Sequence, residues 1–228
     1  MFSSPSIPVL YVDDHLLVVS KPAGLPTLVN GYHPEAPYLA GILKETYPAL
    51  WVVHRLDRQT SGVILFARTA AAHRRLNTQF EQRQAVKTYH ALVQDLPVWD
   101  TRSIHQPLRA DGDRRHRTVV DHRRGKPAET DLLVLERFDH FTLLQAIPHT
   151  GRTHQIRAHL SALGHPIVSD PLYGGAELPI LPRLGLHAFS LKLFHPGSGA
   201  EMVFTAPYPE DMAQAVNLLR LAADSEKL

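Results

Sequence analysis

The chain has 228 residues, 44% of them hydrophobic and 20% charged, a composition that excludes extended disorder and leaves ample length to bury a core in one large domain or two small ones. Its longest apolar runs, Leu16 to Val19 and Val63 to Ala67, are far too short to cross a bilayer, and zero cysteines exclude disulfides, thiolate nucleophiles, cysteine-ligated zinc and iron–sulfur clusters. The net charge of +2 is too small to announce a polyanion partner by itself, and the opening MFSSPSIPVLYVDD lacks the basic and apolar regions of a secretory leader, so a cytoplasmic location is expected.

Val9 to Tyr11 and Leu16 to Ser20 read as two strands joined by an Asp13-Asp14-His15 turn. A Pro- and Gly-rich stretch from Lys21 runs to about Pro37, before Leu39, Ile42 and Leu43 mark a short amphipathic helix. Val63 to Ala67 is a continuous apolar strand, and Thr69 is placed to cap a helix whose Ala72, Leu76 and Phe80 share one face. Lys87 to Val93 alternates, which predicts a strand with one buried face and Tyr89 directed inward. Thr130 to Leu135 and Phe141 to Ile147 form another predicted strand pair. Thr153 is the expected cap of a helix that buries Ile156, Leu160 and Leu163 and ends at Gly164. Leu186 to Phe194 and Met202 to Thr205 supply two more strands, and Pro209 starts a final helix with Met212, Val216 and Leu219 on one stripe. Strands outnumber helices and several neighbours are joined by short turns. The expected fold is α/β mixed (α+β), a single domain over residues 9–222 with a largely antiparallel sheet, a flexible N-terminal tail at 1–8 and a C-terminal tail at 223–228.

Charge is concentrated between Arg102 and Lys126, where eight cationic residues face three acidic ones, a local +5. Such a block is either a solvated loop or a contact for successive phosphates, and Arg114, Arg115 and Arg117 at its centre are the candidates for the second role. Two further stretches concentrate polar groups. His54-Arg55-Leu56-Asp57-Arg58 precedes an apolar strand, with two arginines flanking one carboxylate at a position where loops build sites. His149 to Leu160 crosses from a strand into a helix, where Gly151 permits a tight turn and the first-turn amides with Arg152 are placed to hold an anion. Arg157 lies near that helix's N-terminus, where a cation opposes the macrodipole, so a carboxylate or phosphate partner is expected.

Alternative chemistries fit poorly. His149, His154 and His159 are five residues apart, which distributes them around a helix instead of aligning them on a metal. A triad from Ser61, His54 and Asp57 lacks a GxSxG elbow, and no Walker loop or GxGxxG supports a nucleotide cofactor. A sugar-directed hydrolase needs paired carboxylates that are missing here.

Five ordered segments nonetheless resemble one family, the RluA-type pseudouridine synthases. HRLDRQTSG at 54 to 62 looks like the catalytic loop, VKTYHALV at 86 to 93 like the tyrosine-bearing strand, and HTGRTHQIRAHLSALGHPIVSDPLYGG at 149 to 175 like the third core motif, with KPAGLPT at 21 to 27 and LGLHAFSLKLFHP at 184 to 196 in order around them. The resemblance implies a bent sheet with a central RNA-binding cleft and a reaction without metal or cofactor that turns uridine in rRNA or tRNA into pseudouridine. It implies Asp57 as the catalytic carboxylate, Arg157 as the arginine that pairs with it, and Tyr89 as the tyrosine that stacks on the base. It places Arg55 where a residue enters the RNA helix as the uridine leaves, and Leu186 where an apolar residue packs on the base; His54 and Arg152 join the expected RNA-binding set. The chain opens directly on the first hairpin, which leaves no room for the separate N-terminal RNA-binding module of many relatives, so target choice is expected to rest on the catalytic domain. A monomer with RNA as partner and no membrane contact is expected. The competing reading is an idle RNA-binding or RNA-folding protein that keeps the fold.

Overall fold

A computed structural model describes residues 7–29, 31 and 33–225. In chain order the elements are β1 (Val9–Val12), β2 (Leu16–Lys21), α1 (Leu39–Thr46), β3 (Trp51–Val52), β4 (Ser61–Ala67), α2 (Ala70–Glu81), β5 (Val86–Gln94), β6 (Thr101–Ile104), β7 (Leu108–Arg109) and β8 (Val119–Val120). They continue with β9 (Thr130–Arg137), β10 (Phe141–Pro148), α3 (Gln155–Ala162), β11 (Leu186–Phe194), β12 (Glu201–Thr205) and α4 (Glu210–Ser225). The fold is mixed α+β, and the strand pairs within its two compact units are antiparallel. One unit contains the chain up to Val86 together with Ala188–Pro207, and the other contains Lys87–His187 and the chain from Tyr208. Most of the predicted N-terminal tail, residues 1–6, lies outside the described residues. At the other end helix α4 continues through the start of the predicted tail to Ser225, and 226–228 lie outside.

In the first unit β2 pairs with β1 on one side and β4 on the other, with Leu16 opposite Ala67 and Lys21 opposite Gly62. The apolar runs within them, Leu16 to Val19 and Val63 to Ala67, are buried on two faces, which removes the alternation of a half-exposed strand. Leu16, Val18, Val63 and Leu65 form a core with Ala72 and Leu76 of α2, and Phe80 packs against it, so the predicted helix face is the one that docks. Thr69 caps this helix, its Oγ1 accepting from the Ala72 amide at 3.1 Å. The Asp13 carboxylate builds the first turn by accepting the amides of His15 and Leu16 at 2.8 and 2.7 Å.

In the second unit the strand order is β5-β10-β9-β6. Strand β5 departs from the expected one-sided burial. Ala91 and Val93 enter a core with Ile156, Leu160 and Leu186, while Leu92 on the opposite face enters another with Val168, Met212 and Val216 of α4. Each fully buried aliphatic side chain contributes about 1.5–3 kcal/mol, so α4 is held chiefly by its predicted stripe. Gly164, at φ +83°, ends α3 as expected. The start of α3 differs: the N-cap is His154, at φ +52° and without a side-chain cap bond, and Thr153 does not cap. Gln155 replaces that cap, its Oε1 accepting the Arg152 amide at 3.1 Å and the Thr150 hydroxyl at 2.6 Å.

His90, on the Leu92 face of β5, is 8% exposed and pairs through Nδ1 with the Tyr208 hydroxyl. Burial pushes the tyrosine up to about 12, so the phenol keeps its proton. Burial, then repulsion from His187, lowers His90 to about 4. The imidazole is therefore neutral when folded, while an unfolded histidine titrates at about 6.5. Stability from this site is present above pH 6.5 and is lost as the pH falls towards 4, by up to about 3 kcal/mol. Urea unfolding of wild type and His90→Gln at pH 7 and pH 5 checks this: wild type should lose about 2 kcal/mol more than the variant over that interval, and equal losses would refute it.

Candidate active site

The loop between β3 and β4 carries Arg55 and Asp57, and the KPAGLPT segment holds it from both sides. Thr27 is 3% exposed, and its hydroxyl donates to the Leu56 carbonyl at 3.0 Å while accepting the Leu56 amide at 3.2 Å. On the other side of Asp57, the Arg58 carbonyl accepts from the Gly24 amide at 2.8 Å and from Lys21 Nζ at 3.0 Å, and Arg58 Nε donates to the Gly24 carbonyl at 2.9 Å. Lys21 is completely buried, and its ammonium also donates to the carbonyls of Pro22 and Leu25 at 2.9 and 2.8 Å. The same segment starts α1, because the Pro26 and Thr27 carbonyls accept the amides of Leu39 and Ala40. Asp57 thus occupies the one position between two anchored neighbours, itself half-buried, with Arg55 exposed two residues before it.

Gly62 finishes the loop at φ +113°, where a Cβ would lie 2.1 Å from the Ala188 carbonyl oxygen. Only glycine fits, since both the left-handed backbone and the close approach exclude a side chain. His54 is turned to internal use: its Nε2 accepts the Leu65 amide at 3.2 Å and its ring stacks on Phe80, with centroids 4.9 Å apart. Ser61 is fully buried in β4. An imidazole nitrogen that already accepts a backbone N–H is a poor base, which weighs further against the triad.

The other candidates lie in the second unit. Tyr89 is half-buried and packs against the cluster that contains Leu186 and Ile156, so these predicted residues do meet; Leu186 is 4% exposed and is part of that core. Arg157, beside Ile156 on α3, has the carboxylate partner its position required: its Nε and Nη2 donate to Asp170 Oδ2 and Oδ1, both at 2.8 Å. Asp170 is 1% exposed. Its place in the SDPLYGG stretch, 13 residues beyond Arg157, gave no local signal for the pairing.

Arg152 differs from expectation. Its amide is satisfied by Gln155, and its Nε donates to the Pro127 carbonyl at 3.1 Å, so the proposed anion-holding turn bonds within the protein. The three spaced histidines also have internal partners: His149 bonds Asp131, His154 contacts the Tyr173 hydroxyl, and His159 lies between Thr130 and the Gln106 carbonyl.

The basic segment is more ordered than a solvated loop, because β7 and β8 pair within it. Its carboxylates neutralise part of its charge from inside: Arg109 bonds Asp121 and Arg117 bonds Asp113, each at 2.7 Å. The amide of Arg124, then the Arg109 contact and the amide of Arg123, bring Asp121 down to about 2. Arg115 is exposed, yet its Nη2 donates to the Pro171 carbonyl at 2.9 Å. Arg114, Arg123, Arg124 and Lys126 also reach solvent.

Known proteins resemble the chain along most of its length. The sequence model of the family described as RNA pseudouridylate synthase matches residues 15–162. The chain is 40% identical over 205 residues to the dual-specificity RNA pseudouridine synthase RluA of Escherichia coli (strain K12), covering 89% of this chain and 94% of that protein. The chain belongs to the RluA-type RNA pseudouridine synthase family. It is also 38% identical over 230 residues to the ribosomal large subunit pseudouridine synthase D of Nitrosomonas europaea, covering 93% of this chain but spanning 65% of that protein's length. Among solved structures, human RNA pseudouridylate synthase domain containing 4 aligns with a TM-score of 0.77 at 25% identity over 93% of each chain. Human RNA pseudouridylate synthase domain containing 1 aligns at 0.75 and 28%, over 94% of this chain and 95% of its own. The synthase fold is therefore shared along nearly the whole chain.

The pair of hydrogen bonds between Thr27 and Leu56 is the contact most open to test. Thr27→Val keeps the shape and leaves the Leu56 amide and carbonyl without that partner, which should cost about 2 kcal/mol in urea unfolding and speed hydrogen exchange at the Leu56 amide, with Thr27→Ser restoring both. Unchanged exchange in the valine variant would show that the loop is held by other means.

Proposed function

We propose that the chain isomerises uridine to pseudouridine in structured rRNA, tRNA or both, with Asp57 as the catalytic carboxylate. The observation that carries this reading is the setting of Asp57: a half-exposed carboxylate between two backbone anchors. Positioning of that kind lowers the cost of bringing an anion to a nucleotide, since the loop pays no ordering entropy at the moment of reaction. In the reaction the N1–C1′ bond breaks, a C5–C1′ bond forms, the C5 proton leaves and N1 gains a proton. An ionised aspartate assists it by attacking C1′ or C6, or by taking the C2′ proton. Tyr89 and Arg157 are proposed to serve the same reaction, Tyr89 by stacking on the base and moving a proton.

Arg55 is proposed to fill the space left in the RNA as the uridine is extruded, and its exposure fits that role. Base extrusion costs a few kcal/mol, part of which a stacking guanidinium offsets. The choice of RNA class follows the relatives, one named for dual specificity and one for the large ribosomal subunit. The protein is proposed to act as a monomer in the cytoplasm; no helix among the described residues is long and apolar enough to cross a membrane.

RNA carrying tritium at uridine C5 tests the reading. Wild type should release the label, and Asp57→Asn should lower the rate by roughly 10³ while still binding RNA. Full release by the variant would refute the assignment of Asp57, and binding without release by wild type would favour an idle RNA-binding protein. The basic segment yields a narrower expectation. Arg114→Ala should reduce the slope of log affinity against log salt by about one, the change expected for one lost phosphate contact. An unchanged slope would remove Arg114 from the RNA surface.

A further inference from the structure

Arg157 is held by more than its ion pair. Tyr173, 5% exposed in the loop after α3, lies beneath the guanidinium, with Arg157 Cζ 4.8 Å from the ring centroid. Asp170 takes Nε and Nη2, so the ion pair and the ring together fix both the plane of the guanidinium and the edge it presents.

The loop that supplies these two side chains is itself fastened to the basic segment at three consecutive residues. Arg115 Nη2 donates to the Pro171 carbonyl at 2.9 Å, Arg117 Nη1 to the Leu172 carbonyl at 3.3 Å, and the Thr118 amide to the Tyr173 hydroxyl at 2.9 Å. The same hydroxyl lies 3.1 Å from His154 Nδ1, at the left-handed start of α3. Ser161 closes the arrangement from the helix by donating to the Tyr173 carbonyl at 2.8 Å. One side chain therefore contacts Arg157 with its ring and the basic segment with its hydroxyl, while Arg117 Cζ lies 6.0 Å from the same ring centroid.

We propose that Tyr173 is a positioning residue for the pseudouridine synthase reaction: its ring orients Arg157, and its hydroxyl ties that orientation to the hairpin on which RNA is expected to rest. The inference rests on the function proposed above for its meaning in catalysis, while the hold on Arg157 is measurable without activity. The two halves of the side chain separate in two variants. Tyr173→Leu removes ring and hydroxyl, whereas Tyr173→Phe keeps the ring and removes the hydroxyl's contacts with Thr118 and His154.

At saturating RNA, Tyr173→Leu should slow tritium release by about 10-fold or more, the scale of a misplaced catalytic group. Tyr173→Phe should restore the saturating rate to within about threefold of wild type and show its defect as a raised KM, because the ring stays under Arg157 while one of the three ties to the hairpin is lost. A merely structural tyrosine would give no such division between kcat and KM. Equal loss of kcat in both variants, or no loss in the leucine variant, would overturn the proposal. In parallel, exchange of the Arg157 Nε–H with solvent, followed by ¹⁵N-resolved NMR, should be slow in wild type and Tyr173→Phe and fast in Tyr173→Leu. Slow exchange in the leucine variant would likewise overturn it. If wild type releases no tritium from any RNA, the functional reading fails, and the exchange measurement still decides whether Tyr173 holds Arg157.

Discussion

A buried ammonium holds the Asp57 loop in place. Lys21 has no exposed surface, and withdrawing its charge from water costs several kcal/mol. Three backbone carbonyls offset that cost, at about 1.5–3 kcal/mol for each bond to a charged donor. Two of the three belong to its own turn and the third to Arg58, so the solvation of one charge forces two distant stretches of chain to meet. Where Lys21 is satisfied, Arg58 is fixed; Thr27 does the same for Leu56, and the residue between them is Asp57. Pro22, Gly24 and Pro26 then read as parts of a device for aiming carbonyls, with Gly24 taking the positive φ that the turn requires.

The second unit shows a comparable economy with its cations. A sequence count across Arg102 to Lys126 assigns every arginine to a potential polyanion, but the folded segment uses several to organise itself. Arg109 and Arg117 close turns on Asp121 and Asp113, and Arg115 braces the loop that carries Asp170 and Tyr173. The charge left for an external partner is smaller than the composition implies, and it is displayed on a ribbon of defined shape. Recognition of RNA through backbone and shape benefits from that rigidity, because the contacts need not be ordered again on binding.

Much of this architecture was legible in the residues. The elements whose apolar spacing is regular, α2 and α4 above all, bury the faces that their periodicity predicts, and Thr69 caps where a threonine before an alanine-rich helix should. The Asp57 loop and Tyr89 were visible as motif residues. What escaped notice depends on partners remote in sequence. Lys21 meets Arg58 37 residues away, and Tyr173 meets Thr118 at a separation of 55; no local pattern encodes either contact. Burial of β5 on both faces was hidden because Thr88 and His90 are polar in type, and His90 is tolerated inside only through its bond to Tyr208. The start of α3 misled for a local reason. Thr153 has the chemistry of a cap, but His154 adopts the left-handed conformation and Gln155 satisfies the preceding amide from within the helix.

The close approach of Gly62 to the Ala188 carbonyl has a bearing on how such a loop can diversify. Because Leu56 and Arg58 are pinned upstream and a bare backbone contact closes the downstream end, the stretch has a set number of residues and no slack to absorb an insertion. Its outward side chains, Arg55 and Gln59, are under no such constraint. Variation in the surface the loop presents can therefore accumulate by exchanging those groups, one residue for another, while the spacing of Asp57 stays as it is.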